Sequence, residues 1–320
     1  MMIRTPTMAL WALVLVNLIW GVGFVVVDGV IDLMPVNTFN AFRFGIAALT
    51  LIPLWLMTER KHPEKKTFKN SELIKTGFGL GLLLFLGFSL QTKGLLYTSV
   101  SNTGFITGMC VPLVPIIGYF LFKTKVGVEV WLSVITASIG LYFLTMGENM
   151  EFNFGDILVA ISAVCYAAHI TFMARFGGRY PVLALSIIQL IAVTLYSGMA
   201  SGYEELMNLN DSYPSLIEQL NKVNVWAAIL YSAILASAFA FWAQTSSQRL
   251  IAPHKIALIF ALEPIFGHIA AYVILGEHLG VQGWIGAALI IAGMLYSELG
   301  GRKKVKMQPL DQMAAPIGDK

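Results

Sequence analysis

The chain has 320 residues, 57% of them hydrophobic and only 12% charged, with a mean hydropathy of +0.73. Soluble proteins carry about 25% charged residues, so this composition excludes an ordinary water-soluble domain, and a net charge of +3 is too small to point to nucleic acid. Cys110 and Cys165 each fall inside an apolar run and offer neither a disulfide framework nor metal-ligand spacing; both are expected to be small packing residues.

Ten apolar segments follow in chain order, at about 8–28, 36–57, 73–96, 102–122, 127–146, 155–174, 182–202, 225–248, 256–276 and 281–299. Each has roughly the 17–25 residues that a membrane-spanning helix needs. The first follows Arg4 but has no small-residue cleavage site after it, and Asn17, Trp20 and Phe24 interrupt it. It is expected to be a retained helix, not a signal peptide.

The second segment holds Arg43, too deep to snorkel comfortably. Arg43 could attract a carboxylate or phosphate of a solute, or serve structurally by pairing with Glu263 or with backbone carbonyls. The third segment carries Gln91, and Lys93 near its outer end, where the lysine is expected to snorkel. Gly77 and Gly81, and Gly104 and Gly108 in the fourth segment, stand at the four-residue spacing that lets helix backbones approach. The sixth segment holds Cys165, Tyr166 and His169, the seventh Gln189 and the eighth Gln244. His169 fits a hydrogen-bonded packing role as well as a solute contact. The three glutamines could bind a zwitterion without imposing charge, or bridge helices at about 0.6–2 kcal/mol each. Between the seventh and eighth segments, Glu204, Glu205, Asp211 and Glu218 make residues 203–224 acidic. This stretch is expected to be a solvated connector with short amphipathic structure around Ser215 to Asn221.

The ninth segment, Ile256 to Gly276, is long enough to cross as one helix, yet it carries Glu263, Pro264 and His268. A charge at the bilayer centre costs roughly 2.5–3.5 kcal/mol on insertion scales, so it should face a partner or a wet cavity. Pro264 removes a backbone donor and is expected to kink the helix. Glu263 has three open roles: binding a cationic or amino group, carrying a proton, or capping the break at Pro264. Trp20, Phe24, Phe42, Tyr166, Phe239, Trp242 and Phe260 could line an apolar cavity.

The basic residues set the orientation. With the N-terminus inside, the inner segments hold Arg4; Arg60, Lys61, Lys65, Lys66, Lys69 and Lys75; Lys123 and Lys125; Arg175 and Arg179; Arg249 and Lys255; and Arg302, Lys303, Lys304, Lys306 and Lys320. The outer loops hold Lys222 alone. This bias places both termini in the cytoplasm and makes 302–320 a flexible basic tail able to touch anionic lipid.

The two halves of the chain resemble each other. Val128-Glu129-Val130-Trp131 matches Val281-Gln282-Gly283-Trp284, and Gly140 falls where Gly293 falls. Pro112 matches Pro264, and Gln91-Thr92 matches Gln244-Thr245 within one residue. Trp20 aligns with Tyr166, Gly23 with His169, and Arg43 with Gln189. Five helices is an odd number, so the second half must insert upside down. The fold class expected is therefore an all-α polytopic membrane protein of ten transmembrane helices, as two inverted five-helix repeats over 1–148 and 149–301. Inverted repeats go with a midplane site and alternating access.

These residues resemble the EamA-type branch of the drug/metabolite transporter superfamily. The resemblance rests on Asn17-Leu18-Ile19-Trp20-Gly21, on Arg43, on Leu262-Glu263-Pro264-Ile265-Phe266 running to Leu275-Gly276-Glu277-His278-Leu279, and on Gly286-Ala287-Ala288-Leu289-Ile290-Ile291-Ala292-Gly293. It implies ten helices, a central cavity and solute movement, often export of amino acids, other metabolites or toxic compounds. One departure is Lys125, where such chains often close the fourth helix with an acidic residue.

The expected function is secondary transport, in the export direction, of small polar or amphiphilic metabolites such as amino acids, at the cell inner membrane. No G-x-x-x-x-G-K-[ST] loop is present to drive it with ATP, and no cofactor or metal is expected. An intramembrane enzyme is disfavoured because G-x-S-x-G and H-E-x-x-H are both missing from the sequence. A non-transporting scaffold or receptor would gain nothing from midplane charges. The candidate solute-binding residues are Trp20, Arg43, Gln91, Tyr166, His169, Gln189, Gln244 and Glu263. The sequence leaves open proton coupling and the choice between monomer and homodimer.

Overall fold

A computed structural model describes residues 3–59, 70–98, 100–145, 153–207, 213–275 and 280–300. The basic stretch 60–69, Gly276 to Leu279 with Glu277 and His278, and the tail expected at 302–320 lie outside the described residues.

Regular structure among the described residues is wholly helical. Eight helical stretches are long and apolar enough to span a membrane, and two shorter apolar helices run Val128–Phe143 and Val281–Tyr296. Helix α1 is Pro6–Ile31, started by Thr5, whose hydroxyl accepts from Met8 N at 3.2 Å, and by Pro6, which has no N–H to leave unpaired. Helix α2 is Val36–Glu59. Helix α3, Ser71–Leu95, is capped by Asn70, whose Oδ1 accepts from Glu72 N and Leu73 N at 3.0 and 3.3 Å. Then come α4, Val100–Gly108; α5, Cys110–Phe122; and α6, Val128–Thr145. Helix α7, Phe154–Phe176, opens on a capping box between Asn153 and Asp156, and α8 is Val182–Leu206.

The acidic connector differs from its expectation at one end. Helix α8 continues to Leu206, so Glu204 is buried in a helix, while a short helix α9, Leu216–Leu220, forms where amphipathic structure was expected. Asp211 lies outside the described residues.

The eighth apolar segment is not one α-helix. It runs as α10, Val223–Leu230, then a π-helical stretch, Tyr231–Phe239, then α11, Ala240–Ser247. The ninth is α12, Pro253–Phe260, and α13, Glu263–Leu275, interrupted at Ala261 and Leu262. Pro264 therefore sits in the first turn of a new helix instead of kinking a continuous one. A first-turn residue has no intrahelical use for the N–H that proline lacks. The fourth segment breaks in the same way, at Met109 between α4 and α5. Helix α14, Val281–Gly300, closes the described chain.

Helix α2 packs on α8, α3 on α7 and α8, α1 on α13 and α11, α5 on α7, and α6 on α14. Glycines permit the closest of these approaches. A Cβ on Gly140 would meet the Gly286 carbonyl at 2.7 Å, and one on Gly293 would meet the Ser133 carbonyl at 2.8 Å. On α3, Gly77 and Gly81 lie against Ile188 and Gln189 of α8, as their spacing predicts.

The interior holds polar side chains among its apolar core, and the outside is apolar. Asn17, Asn40, Ser186 and Gln189 are fully buried, while Leu49, Phe120, Val273 and Trp284 are exposed. Apolar surface on this scale is stable against lipid and not against water.

Candidate functional site

A central cavity opens among α1, α2, α3, α4, the start of α5, α7, the π-helical stretch, α11, α12 and α13. It takes in about 1040 Å³ of space with its open mouth counted. Seven of the eight candidate residues line it: Trp20, Arg43, Gln91, Tyr166, His169, Gln244 and Glu263.

Gln189 is the exception and corrects the expectation. It is fully buried behind the wall, where its Oε1 lies 2.7 Å from His169 Nε2. The alignment of Arg43 with Gln189 thus matches positions along the helices without matching access to the cavity.

The π-helical stretch fixes two lining residues. Trp20 Nε1–H donates to the Ala236 carbonyl at 2.8 Å, and Arg43 Nε–H donates to Ser237 Oγ at 2.8 Å. Widened turns of this kind recur at functional sites because they re-aim backbone and side-chain groups. The Arg43 guanidinium also lies 4.9 Å from the Phe44 ring centroid and 4.8 Å from that of Phe88. Ring faces favour a desolvated cation. Arg43 is 6% exposed, and its two terminal nitrogens make no protein hydrogen bond among the described residues.

Glu263, the first residue of α13, faces the same cavity. Arg43 and Glu263 act on each other electrostatically, but no ion pair within 4.0 Å joins them. Each therefore keeps hydrogen-bonding capacity for a third molecule.

Gln91 is used at both ends. Its Nε2 donates to Thr107 Oγ1 at 2.9 Å, and its Oε1 accepts from the Tyr166 hydroxyl at 3.0 Å. Gln244 Oε1 and Ser232 Oγ, on two lining residues, have no hydrogen-bond partner among the described residues.

Phe24, Phe88, Phe241 and Phe260 complete an aromatic wall with Trp20 and Tyr166. Phe42, Phe239 and Trp242 are not part of it. Phe88 sits edge-on to Tyr166 with ring centroids 5.4 Å apart, and Trp20 to Phe260 at 5.2 Å. Phe88 and Phe241 escaped the sequence reading, although Phe88 lies one helical turn from Gln91. Ser232 and Ser237 had no such signal, because nothing in the local pattern marks a π-helical turn. Cys110 also lines the cavity, beyond its expected packing role.

Lys93, in the last turn of α3 and partly exposed, pairs its ammonium with Glu204 Oε1 of α8. Asn37 Nδ2 donates to the same oxygen at 2.8 Å, and Ser89 Oγ donates to Asn37 Oδ1 at 2.8 Å. The ends of α2, α3 and α8 are thereby joined outside the cavity. His268 turns back onto its own helix, with Nδ1 2.8 Å from the Pro264 carbonyl oxygen.

Residues 7–146 and 153–298 each match the model of the EamA-like transporter family. An uncharacterized transporter of Archaeoglobus fulgidus is 28% identical over 291 residues, spanning 90% of this chain and 84% of its own length. The uncharacterized transporter YyaM of Bacillus subtilis is 26% identical over 272 residues, spanning 80% of this chain and 82% of its own length. A solved crystal structure superposes with a TM-score of 0.73 at 17% identity, covering 93% of this chain and 98% of that one. At that identity the likeness concerns the fold alone.

Proposed function

Because the chain belongs to the EamA-like transporter family, we propose that it is a secondary transporter, and an exporter, of small zwitterionic or amphiphilic metabolites such as amino acids, working by alternating access at the cell inner membrane. The observation that carries this reading is the cavity itself, which presents Arg43 and Glu263 unpaired to a common space walled by aromatic rings. Buried opposite charges are costly unless something neutralises them. They act on each other across the cavity, and a zwitterion can exchange with that arrangement without stranding either one. The aromatic wall suits an apolar side chain on such a solute.

We further propose ten spans as two inverted repeats, 1–148 and 149–301, with α6 and α14 as the fifth and tenth. Three observations support this. The family model matches twice in tandem. The fourth and ninth segments are each broken near their middle. The main packing pairs also correspond when the halves are exchanged: α1 on α13 corresponds to α7 on α5, and α6 pairs with α14 through Gly140 and Gly293. The distribution of Lys and Arg supports cytoplasmic termini. Glu263 is the group proposed to carry a proton where transport is proton-coupled.

Counterflow of radiolabelled L-phenylalanine by purified protein in liposomes tests the reading. Saturable exchange is the expected result; no exchange of phenylalanine or of any other amino acid would remove the proposed solute class.

A further inference from the structure

Gln189 reaches the solute only through His169, and its own hydrogen bonds determine how. Its Nε2–H donates to the Leu185 carbonyl at 3.3 Å, one turn back along α8. Flipping the amide would set two acceptor oxygens against each other, so the network fixes the orientation. The amide oxygen therefore faces His169 Nε2 at 2.7 Å, and an acceptor at that distance calls for a proton on Nε2. In a neutral imidazole, a proton on Nε2 leaves Nδ1 with a lone pair. The ring's partner is an uncharged amide, and a buried charge without a paired countercharge is costly, so the ring is read as neutral. Nδ1 makes no protein hydrogen bond among the described residues and is not among the polar atoms sealed off without a partner. His169 lines the cavity, and with Nε2 held by Gln189, Nδ1 is the ring nitrogen left for a solute.

We propose that Gln189 is a positioning residue that holds His169 in the Nε2–H tautomer, so that Nδ1 enters the cavity as a hydrogen-bond acceptor and selects solutes carrying an N–H donor. The inference rests on the solute-binding role proposed for the cavity and adds a polarity to it. The open nitrogens of Arg43 donate, whereas His169 Nδ1 and the Glu263 carboxylate accept. A solute with an anionic or acceptor end and an amino end is thereby oriented, and one with a fully substituted nitrogen is refused.

Two measurements test this and fail separately. The first is nitrogen NMR of protein in lipid nanodiscs with histidine ring nitrogens labelled, the His169 signals being assigned by their loss in His169→Asn. The expected spectrum has a protonated Nε2 and a bare Nδ1. Gln189→Leu should give a mixture of the two neutral tautomers, and Gln189→Glu, which keeps an oxygen at the same place, should restore Nε2–H. A purely structural role for Gln189 would not change which nitrogen holds the proton. A proton on Nδ1 in the parent protein, or a tautomer unaffected by Gln189→Leu, overturns the proposal.

The second measurement is phenylalanine counterflow with N,N,N-trimethyl-L-phenylalanine as competitor; it retains both charges but has no N–H. N-methyl-L-phenylalanine serves as a control for added bulk. The trimethyl compound should compete ~10-fold or more weakly than either. Equal competition by all three overturns the donor requirement. Loss of phenylalanine exchange alongside an intact Nε2–H tautomer counts against the transport reading and supports the tautomer assignment.

Discussion

The Tyr166 hydroxyl donates to Gln91 Oε1 at 3.0 Å, while the other end of that amide donates to Thr107 Oγ1 at 2.9 Å. Helices α7, α3 and α4 are thus joined by one side chain on the cavity wall. Such bonds between membrane helices contribute about 0.6–2 kcal/mol each, too little to hold the bundle together. Their effect is to orient Tyr166 on the cavity wall and to occupy both ends of the Gln91 amide.

Tyr166→Phe is therefore expected to fold, to lose about 0.6–2 kcal/mol of stability, and to lower solute affinity several-fold. Thermal unfolding of the purified protein and counterflow measure the two effects separately. Gln91→Leu, which removes both bonds, should be the more damaging change in each assay.

The Lys93–Glu204 pair is an anchor at one end of the bundle, with Asn37 at the start of α2 bonded to the same carboxylate. Replacing Glu204 by Gln removes the countercharge of a half-buried ammonium and weakens the bond from Asn37. A loss of about 1.5–3 kcal/mol is expected, as for hydrogen bonds to charged groups. The double change Lys93→Met with Glu204→Leu should cost less than the two single losses added together. Strict additivity in thermal unfolding would mean that the residues do not act as a pair.

Close approach of α6 and α14 makes Gly140→Val and Gly293→Val destabilising by about 1–3 kcal/mol each, as overpacking usually is. Gly79→Ala on α3 is the control, since nothing lies within 4 Å of where its Cβ would stand. Equal melting behaviour of Gly140→Val and Gly79→Ala would contradict the packing described.

Much of this arrangement was legible in the sequence, for physical reasons. Membrane-spanning helices must satisfy their backbone internally, so the apolar segments reported nearly all the helices. Polar residues that are expensive in lipid reported the cavity, which is why Arg43, Gln91, His169 and Glu263 could be singled out. Three features escaped. A π-helical stretch at Tyr231–Phe239 has no local signature. The chain breaks at Met109 and Ala261–Leu262 each stand just before a proline, Pro112 or Pro264, in the first turn of the next helix, a position that permits a new helix start without marking where the preceding one ends. Gln189 has the same side chain as Gln91 and Gln244, and only its neighbours place it one layer back from the cavity.

Orientation can be read independently of function. Single cysteines introduced at 59–70 should react with impermeant thiol reagents only from the cytoplasmic side, and those at 206–216 only from outside, as the Lys and Arg asymmetry predicts. Labelling of both stretches from the same side would remove the inverted arrangement.

Arg43 and Glu263 are proposed to bind the two ends of one solute, and counterflow in liposomes with Arg43→Gln, Glu263→Gln and the double variant measures this. Each single change strands the other charge, so each should reduce exchange ~10-fold or more, and the double change should be less harmful than the two effects multiplied. If Glu263 instead serves only as the proton carrier, Glu263→Gln should abolish proton-driven accumulation yet spare counterflow, with Arg43→Gln acting independently. Single variants that both exchange solute like the parent would show that neither Arg43 nor Glu263 binds it.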